Sequence, residues 1–218
     1  LALKSDGTVW AWGANFTGQL GQGGTSFTKS NTPVQVMDQG GSPLTGVEAI
    51  ASGDFHNLAL VAPLDEARTT SGASRAPGTV VGWGLNDQGE LGNGSTGTTG
   101  FTDTTGCSCI NTAVPVTGSN GSSLTGIMAI AAGGAHSLAI TQDGTAWSWG
   151  SNATGQLGSM TPGLYSTVPV QVSGLSGVSA IAAGGSFSVA LGSTLSRHLF
   201  MDCAQSAAYS YAPISQAP

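Results

Sequence analysis

The chain has 218 residues and a formal net charge of −6, with 35 glycines and only 7% charged residues, against about a quarter in an average globular protein. The hydrophobic fraction of 39% argues against disorder, so the composition describes a packed, turn-rich protein. The five lysines and arginines are scattered, which disfavours nucleic-acid binding, and no apolar run reaches the roughly 20 residues of a membrane span.

The first predicted elements are strands joined by a tight turn. The turn is "SDGT" around Asp6, and it recurs as "QDGT" around Asp143. In the following "TVWAW", Trp10 and Trp12 share one face and small residues share the other, and "HSLAI" repeats this period of two. Since neither face is charged, both faces of each sheet are predicted to be buried, and no helix is predicted.

A ten-residue phrase begins at the last tryptophan of this strand and is written three times. The copies are "WGANFTGQLG", "WGLNDQGELG" and "WGSNATGQLG". We predict that the tryptophan anchors neighbouring sheets, the asparagine bonds the local backbone, the glycines allow positive φ or close approach, and the leucine pins the loop. The predicted structural residues are Trp12, Gly13, Gly18, Leu20, Gly21, Trp83, Gly84, Gly89, Leu91, Gly92, Trp149, Gly150, Gly155, Leu157 and Gly158.

A second phrase marks each unit, as "AIASGDFHNLAL", "AIAAGGAHSLAI" and "AIAAGGSFSVAL". Counted on its last alanine (Ala2, Ala59, Ala139 and Ala190), the copies are 57, 80 and 51 residues apart. The additional residues fall between the phrases and are predicted to be loops on a fixed scaffold. We therefore expect repeat units at about 1–58, 59–138 and 139–191, and a tail at 192–218 that follows no repeat position.

This repeat predicts an all-β fold, a β-propeller of four-stranded antiparallel blades with about three blades present. We expect the bulky face of each sheet to fit the small-residue face of the next copy, because radial stacking of such sheets closes a propeller. A ring needs about four to eight blades. The chain is therefore predicted to be a fragment, or one part of an assembly that other chains complete.

The ordered set "AIAAGG.HSLAI..DGT.WSWG.N..GQLG" resembles the repeat of the regulator of chromosome condensation family over nearly all of residues 1–191. The resemblance implies a seven-bladed propeller. In the eukaryotic namesake, one propeller face engages a small nuclear GTPase and drives nucleotide exchange through an acidic residue just before a repeat histidine. Here Phe55, Ala135 and Ser186 hold that position and Asp54 lies one residue away. The sequence therefore gives exchange activity no support.

The predicted partner-binding surface is formed by loops that join successive strands. Its residues are Asp54, Phe55, His56, Ala135, His136, Ser186 and Phe187. The two histidines share a repeat position with a phenylalanine, so a space-filling role is favoured over a ligand or a proton carrier. The sequence shows no catalytic triad, and no metal or cofactor site is predicted.

Two insertions and three cysteines complete the candidate features. Asp65 and Glu66 lie in the first insertion and Phe101 in the second; a solvated loop is the default for both and partner binding the alternative. The cysteines fit neither a zinc quartet nor a paired framework. A bridge between Cys107 and Cys109 would close a very small loop, so free thiols and one link to Cys203 stay equally open.

We predict a non-enzymatic protein-interaction module without cofactor that presents loops on a propeller face, in a bacterial and secreted or cell-surface setting. Two alternatives stay open: an exchange regulator of a small GTPase, and a structural repeat of a large surface protein. The resemblance also covers secreted propellers that inhibit β-lactamases through one face. Open sheet edges at both ends predict self-association.

Overall fold

The computed structural model describes residues 1–24, 27–62, 78–97, 107–160 and 163–195, and within these ranges it contains strands and no helix. The strands are β1 (Ala2–Leu3), β2 (Val9–Gly13), β3 (Ser30–Gln35), β4 (Val47–Ser52), β5 (His56–Val61), β6 (Thr79–Leu85), β7 (Cys109–Pro115), β8 (Ile127–Ala132), β9 (His136–Thr141), β10 (Ala146–Ser151), β11 (Tyr165–Gln171), β12 (Leu175–Ala183) and β13 (Ser188–Leu195).

The strands form four antiparallel sheets in chain order. Sheet I is β1–β3, sheet II is β4–β7, sheet III is β8–β11 and sheet IV is β12–β13. Strands β4, β8 and β12 begin their sheets and are in contact in succession, β4 with β8 and β8 with β12, so they form the inner edge of the array. The predicted propeller of four-stranded blades is confirmed: sheets II and III are complete blades, and the two outer sheets are partial ones.

Each repeated tryptophan sits at a bulge of its strand. The pairing of β6 with β7 shifts register between Gly82 and Gly84, on either side of Trp83, and β2 and β10 shift at the equivalent place. Gly84 has φ of +107°, and a Cβ there would lie 2.4 Å from the carbonyl oxygen of Phe55. Glycine is therefore required after the tryptophan for both its backbone conformation and its lack of a side chain.

The prediction of one bulky and one small face per sheet is wrong, because the bulky residues change face from strand to strand. Trp83 pairs with Asn57 across strands and shares a core cluster with Ala59, packing toward sheet I. Leu58 and Leu60 point the other way and pack with Trp149 of sheet III. Each face therefore combines large residues of one strand with small residues of its neighbour, which leaves room for an indole beside the alanine.

Burial of both faces holds for sheets II and III but not for the outer sheets. Trp83 and Trp149 are fully buried, whereas Trp12 is 50% exposed and Val189 and Leu191 of sheet IV are also exposed. The anchoring role of Trp12 between neighbouring sheets stays a prediction, because such an anchor needs a preceding sheet and none packs in front of sheet I among the described residues.

Three further expectations concern the loops and the tail. Cys107 and Cys109 form a disulfide at the start of β7, which corrects the expectation of free thiols or a link to Cys203. Strand β13 ends at Leu195, so it runs four residues into the segment predicted to follow the repeats. The structure describes no part of Asp65, Glu66, Phe101, Cys203 or the segment after residue 195. In the described segments, no helix has the length and apolarity needed to cross a membrane.

Candidate interaction surface

The strand connections lie at two ends of the sheets, and one end carries the predicted partner-binding loops. We call it the loop end; it comprises the β4–β5, β8–β9 and β12–β13 hairpins and the β2–β3, β6–β7 and β10–β11 connections. The opposite end carries the two predicted Asp-Gly turns. In these turns Gly7 and Gly144 have φ of +77° and +79°, and Asp6 and Asp143 accept hydrogen bonds from nearby threonines.

The inner hairpins of the loop end are tied to one another. Asp54 N donates to Gly134 O at 3.3 Å, and Gly134 N donates to Gly185 O at 3.1 Å. A Cβ at Gly134 would lie 2.7 Å from the carbonyl oxygen of Gly185, so the hairpins approach at backbone distance. Backbone bonds between three successive sheets hold this end in one arrangement.

The two histidines of the predicted surface are buried between sheets. His56 Nε2 lies 3.0 Å from Ser137 Oγ of the next sheet, and Ser137 Oγ donates to Glu90 O at 2.8 Å. Because the serine has one hydroxyl hydrogen, the histidine Nε2–H is the donor to it. His136 lies 3.0 Å from Ser188 in the same way.

Burial keeps both imidazoles neutral. It lowers the pKa of His56 to about 3, with a further contribution from nearby His136, and it lowers the pKa of His136. The histidines therefore join sheets and are not available to a partner, which corrects their inclusion in the predicted surface.

The other predicted surface residues are exposed or half-buried. Asp54 and Phe55 are exposed, Phe55 at 51%, Ser186 is exposed and Ala135 is half-buried. Phe187 is exposed, and its ring lies over Gly184 as the His56 ring lies over Gly53. Because His56 faces the sheet that follows its own, Phe187 faces the space beyond sheet IV. The loop-end surface predicted from sequence therefore keeps Asp54, Phe55, Ala135 and Ser186.

The structure adds exposed residues that sequence reasoning missed. Phe16 lies beside Phe55, since Thr17 Oγ donates to Phe55 O at 3.4 Å, and Asp87 is exposed at the same repeat position as Phe16. Further exposed apolar residues on the loop end are Met160, Leu164 and Tyr165. The available signal was the variability inside the repeated phrase, where Phe16, Asp87 and Ala153 hold one position.

The turns of the repeated phrase place these residues. The Oδ1 atoms of the three asparagines accept the backbone N–H of the leucine five residues later, at 2.9 to 3.2 Å. These leucines are buried, and the glycines predicted to be structural all have positive φ. The side chain of the residue directly after the asparagine, such as Phe16, is consequently held out toward solvent.

A set of inward-facing polar residues was also missed. Trp83 Nε1 and Asn57 Nδ2 both donate to Gln19 O, at 3.1 and 2.8 Å. Trp149 Nε1 donates to Glu90 O at 2.8 Å beside Ser137. The sequence signal was the small polar residue that directly follows the histidine position of each repeat: Asn57, Ser137 and Ser188. These contacts join sheets and take no part in the exposed surface.

Among the described residues, Glu90 is the one buried acid at these contacts between sheets. Gln88 N donates to its Oε2 at 2.9 Å, and its Oε1 has no hydrogen-bond partner. Burial, and then the adjacent Asp87 carboxyl, raise the pKa of Glu90 to about 7. Glu90 is fully enclosed, and no group of three His, Cys, Asp or Glu in the described residues is placed to hold a metal ion.

Comparison with known proteins agrees with this geometry. The sequence profile of the regulator of chromosome condensation (RCC1) repeat matches residues 6–60, 77–140 and 143–191. The chain belongs to the RCC1 repeat family. The RCC1 repeats found by comparison therefore cover both complete blades and parts of the outer two.

Similar RCC1-repeat proteins are much longer than this chain. It is 33% identical over 168 residues to a human protein named as the probable E3 ubiquitin-protein ligase HERC6, and covers 13% of that protein. It is 32% identical over 174 residues to the mitochondrial RCC1 domain-containing protein RUG3 of Arabidopsis thaliana, and covers 31% of it. The matches include 74% and 79% of this chain, respectively.

Solved structures of the family share the fold. Prp20p of Saccharomyces cerevisiae, described with its binding to Gsp1p and histones, superposes with a TM-score of 0.63 at 22% identity over 87% of this chain and 40% of its own. Human WBSCR16 gives 0.62 at 22% identity, over 87% of this chain and 41% of its own. At this identity the likeness shows the fold alone.

Proposed function

We propose that this RCC1-repeat segment is a non-enzymatic protein-interaction module that binds a protein partner at its loop end. One observation supports this most directly. Apart from the faces of the two outer sheets, every large apolar side chain exposed in the described residues lies at the loop end: Phe16, Phe55, Met160, Leu164 and Tyr165. Exposed aromatic residues gathered on one side of a protein are typical of an interaction surface.

The rigidity of the hairpins supports the same proposal. The bonds from Asp54 to Gly134 and from Gly134 to Gly185 fix the hairpin backbones before any partner arrives. A partner then loses less entropy in ordering this surface, because preorganised groups bind with a smaller cost. The variable residues sit on fixed turns, so different members can present different side chains on the same scaffold.

The charge of this surface indicates the partner's chemistry. Asp54 and Asp87 are both exposed at the loop end, Asp54 directly before Phe55, and Lys29 is the single basic residue of the loop end in the described part of the chain. We therefore expect a partner with an apolar patch bordered by basic residues. Prp20p, which shares the fold, is described as binding Gsp1p and histones, so protein binding has a precedent in this architecture.

The proposal is tested by crosslinking in the native host, with the intact protein carrying Phe16→Ser and Phe55→Ser together. We expect the proteins captured by the wild type to be lost, because the two phenyl rings supply the central apolar contact. A matched variant at the opposite end is Gln142→Ser, which is exposed and lies in the second Asp-Gly turn. Equal capture by wild type, double variant and Gln142→Ser would contradict a loop-end surface.

A further inference from the structure

The Cys107–Cys109 disulfide is a chemical feature of the loop end that the proposed partner surface does not use. The two cysteines flank a single residue, Ser108, at the start of β7. Cys109 is 2% exposed, whereas Cys107 is partly exposed. A reagent in solution can therefore reach the bond from the Cys107 side.

This disulfide adds little to the stability of the fold. A disulfide stabilises a protein mainly by restricting the unfolded chain, and the effect grows with the length of the loop that it closes. Here the bond closes only residues 107–109. A loop this short raises the ratio of folded to unfolded protein by about 15-fold, against roughly 150-fold for a loop of 15 residues.

The equivalent place in sheet III forms without a disulfide. Tyr165 holds the strand position of Cys109, since each pairs with the second residue after the repeated tryptophan of its sheet. Gly163 consequently holds the position of Cys107. The repeat therefore makes this strand start with no covalent link.

Backbone hydrogen bonds fix the start of the strand in both sheets. Asn86 N donates to Ser108 O at 2.7 Å, and the equivalent bond in sheet III, from Asn152 N to Leu164 O, has the same length. Cys109 is also held in the ladder between β6 and β7. Opening the disulfide therefore leaves Ser108 and Cys109 in place.

Cys107 is the residue that opening of the disulfide releases. In sheet III, Asn152 Nδ2 donates to Gly163 O at 3.1 Å and ties that residue to the turn of the repeated phrase. In sheet II, Asn86 Nδ2 gives both of its hydrogens to other acceptors in the β6–β7 connection. The disulfide thus holds Cys107 where an amide holds Gly163, through a bond that a thiol can break.

We propose that the Cys107–Cys109 disulfide is a reversible redox site, which a low-molecular-weight thiol reduces while sheet II stays folded. A thiolate attacks Cys107 Sγ, the S–S bond breaks, and Cys109 leaves as a thiolate that takes up a proton. A second thiolate attacks the reagent sulfur of this mixed disulfide, and Cys107 leaves and is protonated in the same way.

The electrons and protons of this exchange balance. Two reagent thiols give up two electrons and two protons and become one small disulfide, while the protein disulfide becomes two thiols. The reduced form presents a free Cys107 thiol at the loop end.

The test is equilibration of the full chain with glutathione. The chain carries Cys203→Ser, which removes the third cysteine as a competing partner. After equilibration at a series of ratios of reduced to oxidised glutathione, alkylation and mass spectrometry count the free thiols. We expect both forms to be populated across the series with an unchanged circular dichroism spectrum. Urea unfolding of the reduced form should give a ratio of folded to unfolded protein lower by no more than about 15-fold.

Single-cysteine variants on the Cys203→Ser background separate the two sulfurs. Cys109→Ser leaves Cys107 alone, which should take one glutathionyl group from oxidised glutathione. Cys107→Ser is the matched control, because it leaves only the buried Cys109. Cys109 should react at least about 10-fold more slowly, since a buried thiol reacts only when its strand opens locally. Melting of each variant establishes that it is folded.

Four outcomes would overturn the proposal. A bond that glutathione reduces only in urea would be a permanent structural link, and a pair that stays reduced at every ratio would hold no disulfide to exchange. Equal rates for the two single-cysteine variants would contradict attack at Cys107. A peptide map of the wild type that joins Cys203 to either of the other cysteines would replace the pairing on which the site depends.

Discussion

At the scale of single residues, Glu90 departs from the other copies of its repeat. Gln19 and Gln156 hold its position, and their amide oxygens accept hydrogen bonds from a threonine two residues earlier. Glu90 has Gln88 N as donor to one oxygen and no partner for the other. A neutral side chain suits this site better than a carboxylate, since a buried charge without full hydrogen bonding is costly.

Replacing this acid is expected to remove a pH dependence. The folded protein binds the Glu90 proton more tightly than the unfolded chain, with the pKa raised from 4.5 to about 7. Its contribution to stability is therefore fully present below pH 4.5 and is lost as pH rises to about 7. Glu90→Gln should match the wild type at pH 4 and exceed it at pH 8, by on the order of 3 kcal/mol.

Urea unfolding at a series of pH values measures this difference. His56 acts in the opposite sense, because its lowered pKa makes stability fall as pH drops below about 6.5, toward 3. Both proteins carry His56, so its contribution cancels in the comparison. Asp87→Asn is the control, and it should give a smaller gain by removing one of the two causes of the raised pKa. Parallel stability curves at all pH values would refute this account of Glu90.

At the scale of the structural element, the ten-residue phrase is a turn built to hold an indole from the next sheet. Gly92 has φ of +62°, and a Cβ there would lie 2.8 Å from the Trp149 indole. Gly155 has φ of +81° in the equivalent turn of sheet III, with nothing within 4 Å of a Cβ. The two glycines thus share a backbone requirement and differ in packing.

Alanine at each of these glycines separates the two effects. Gly155→Ala should cost about 1–2 kcal/mol, the strain of a left-handed backbone conformation. Gly92→Ala should cost that amount plus about 1–3 kcal/mol, because the methyl group displaces a buried indole. The free energy of unfolding of both variants gives the comparison. If the two losses were equal, close packing against Trp149 would not be what requires Gly92.

At the scale of the whole molecule, stability comes from the contacts between neighbouring sheets, as in other repeat proteins where each unit contacts only its neighbours. Sheets II and III each contribute a tryptophan that crosses to the preceding sheet. Within the described residues, Trp12 of sheet I crosses to no preceding sheet, and an open groove lies between sheets III and IV. The inner sheets should therefore be the most stable part of the array.

Truncating equivalent tryptophans tests this view. Trp149→Ala removes a fully buried indole and should cost about 3–5 kcal/mol, which is a large part of a typical domain stability of about 5–15 kcal/mol. Trp12→Ala should change stability by no more than about 0.5 kcal/mol, as for other surface positions. Melting at a concentration where the protein is monomeric distinguishes them. Similar losses for the two variants would show that Trp12 is packed in solution.

Much of this structure was predictable because the repeated residues specify their strands and turns through local interactions. The Trp-Gly and Asp-Gly dipeptides specify bulges and turns through φ, and period-two patterning specifies strands, so blade type follows from neighbouring residues alone. The loop surface was partly predictable: Asp54 and Phe55 are exposed as expected. His56 was not, because its surroundings come from Ser137, 81 residues away.

The sequence by itself determined the all-β repeat, its turns and the membership of the family, since these depend on contacts within one unit. Only the tertiary structure decided which copies of a repeated residue are buried. Trp12 and Trp149 are in the same phrase, yet one is half exposed and the other enclosed. The physical reason is that burial of the indole depends on a preceding sheet, and a position within the repeat does not say whether that sheet is there.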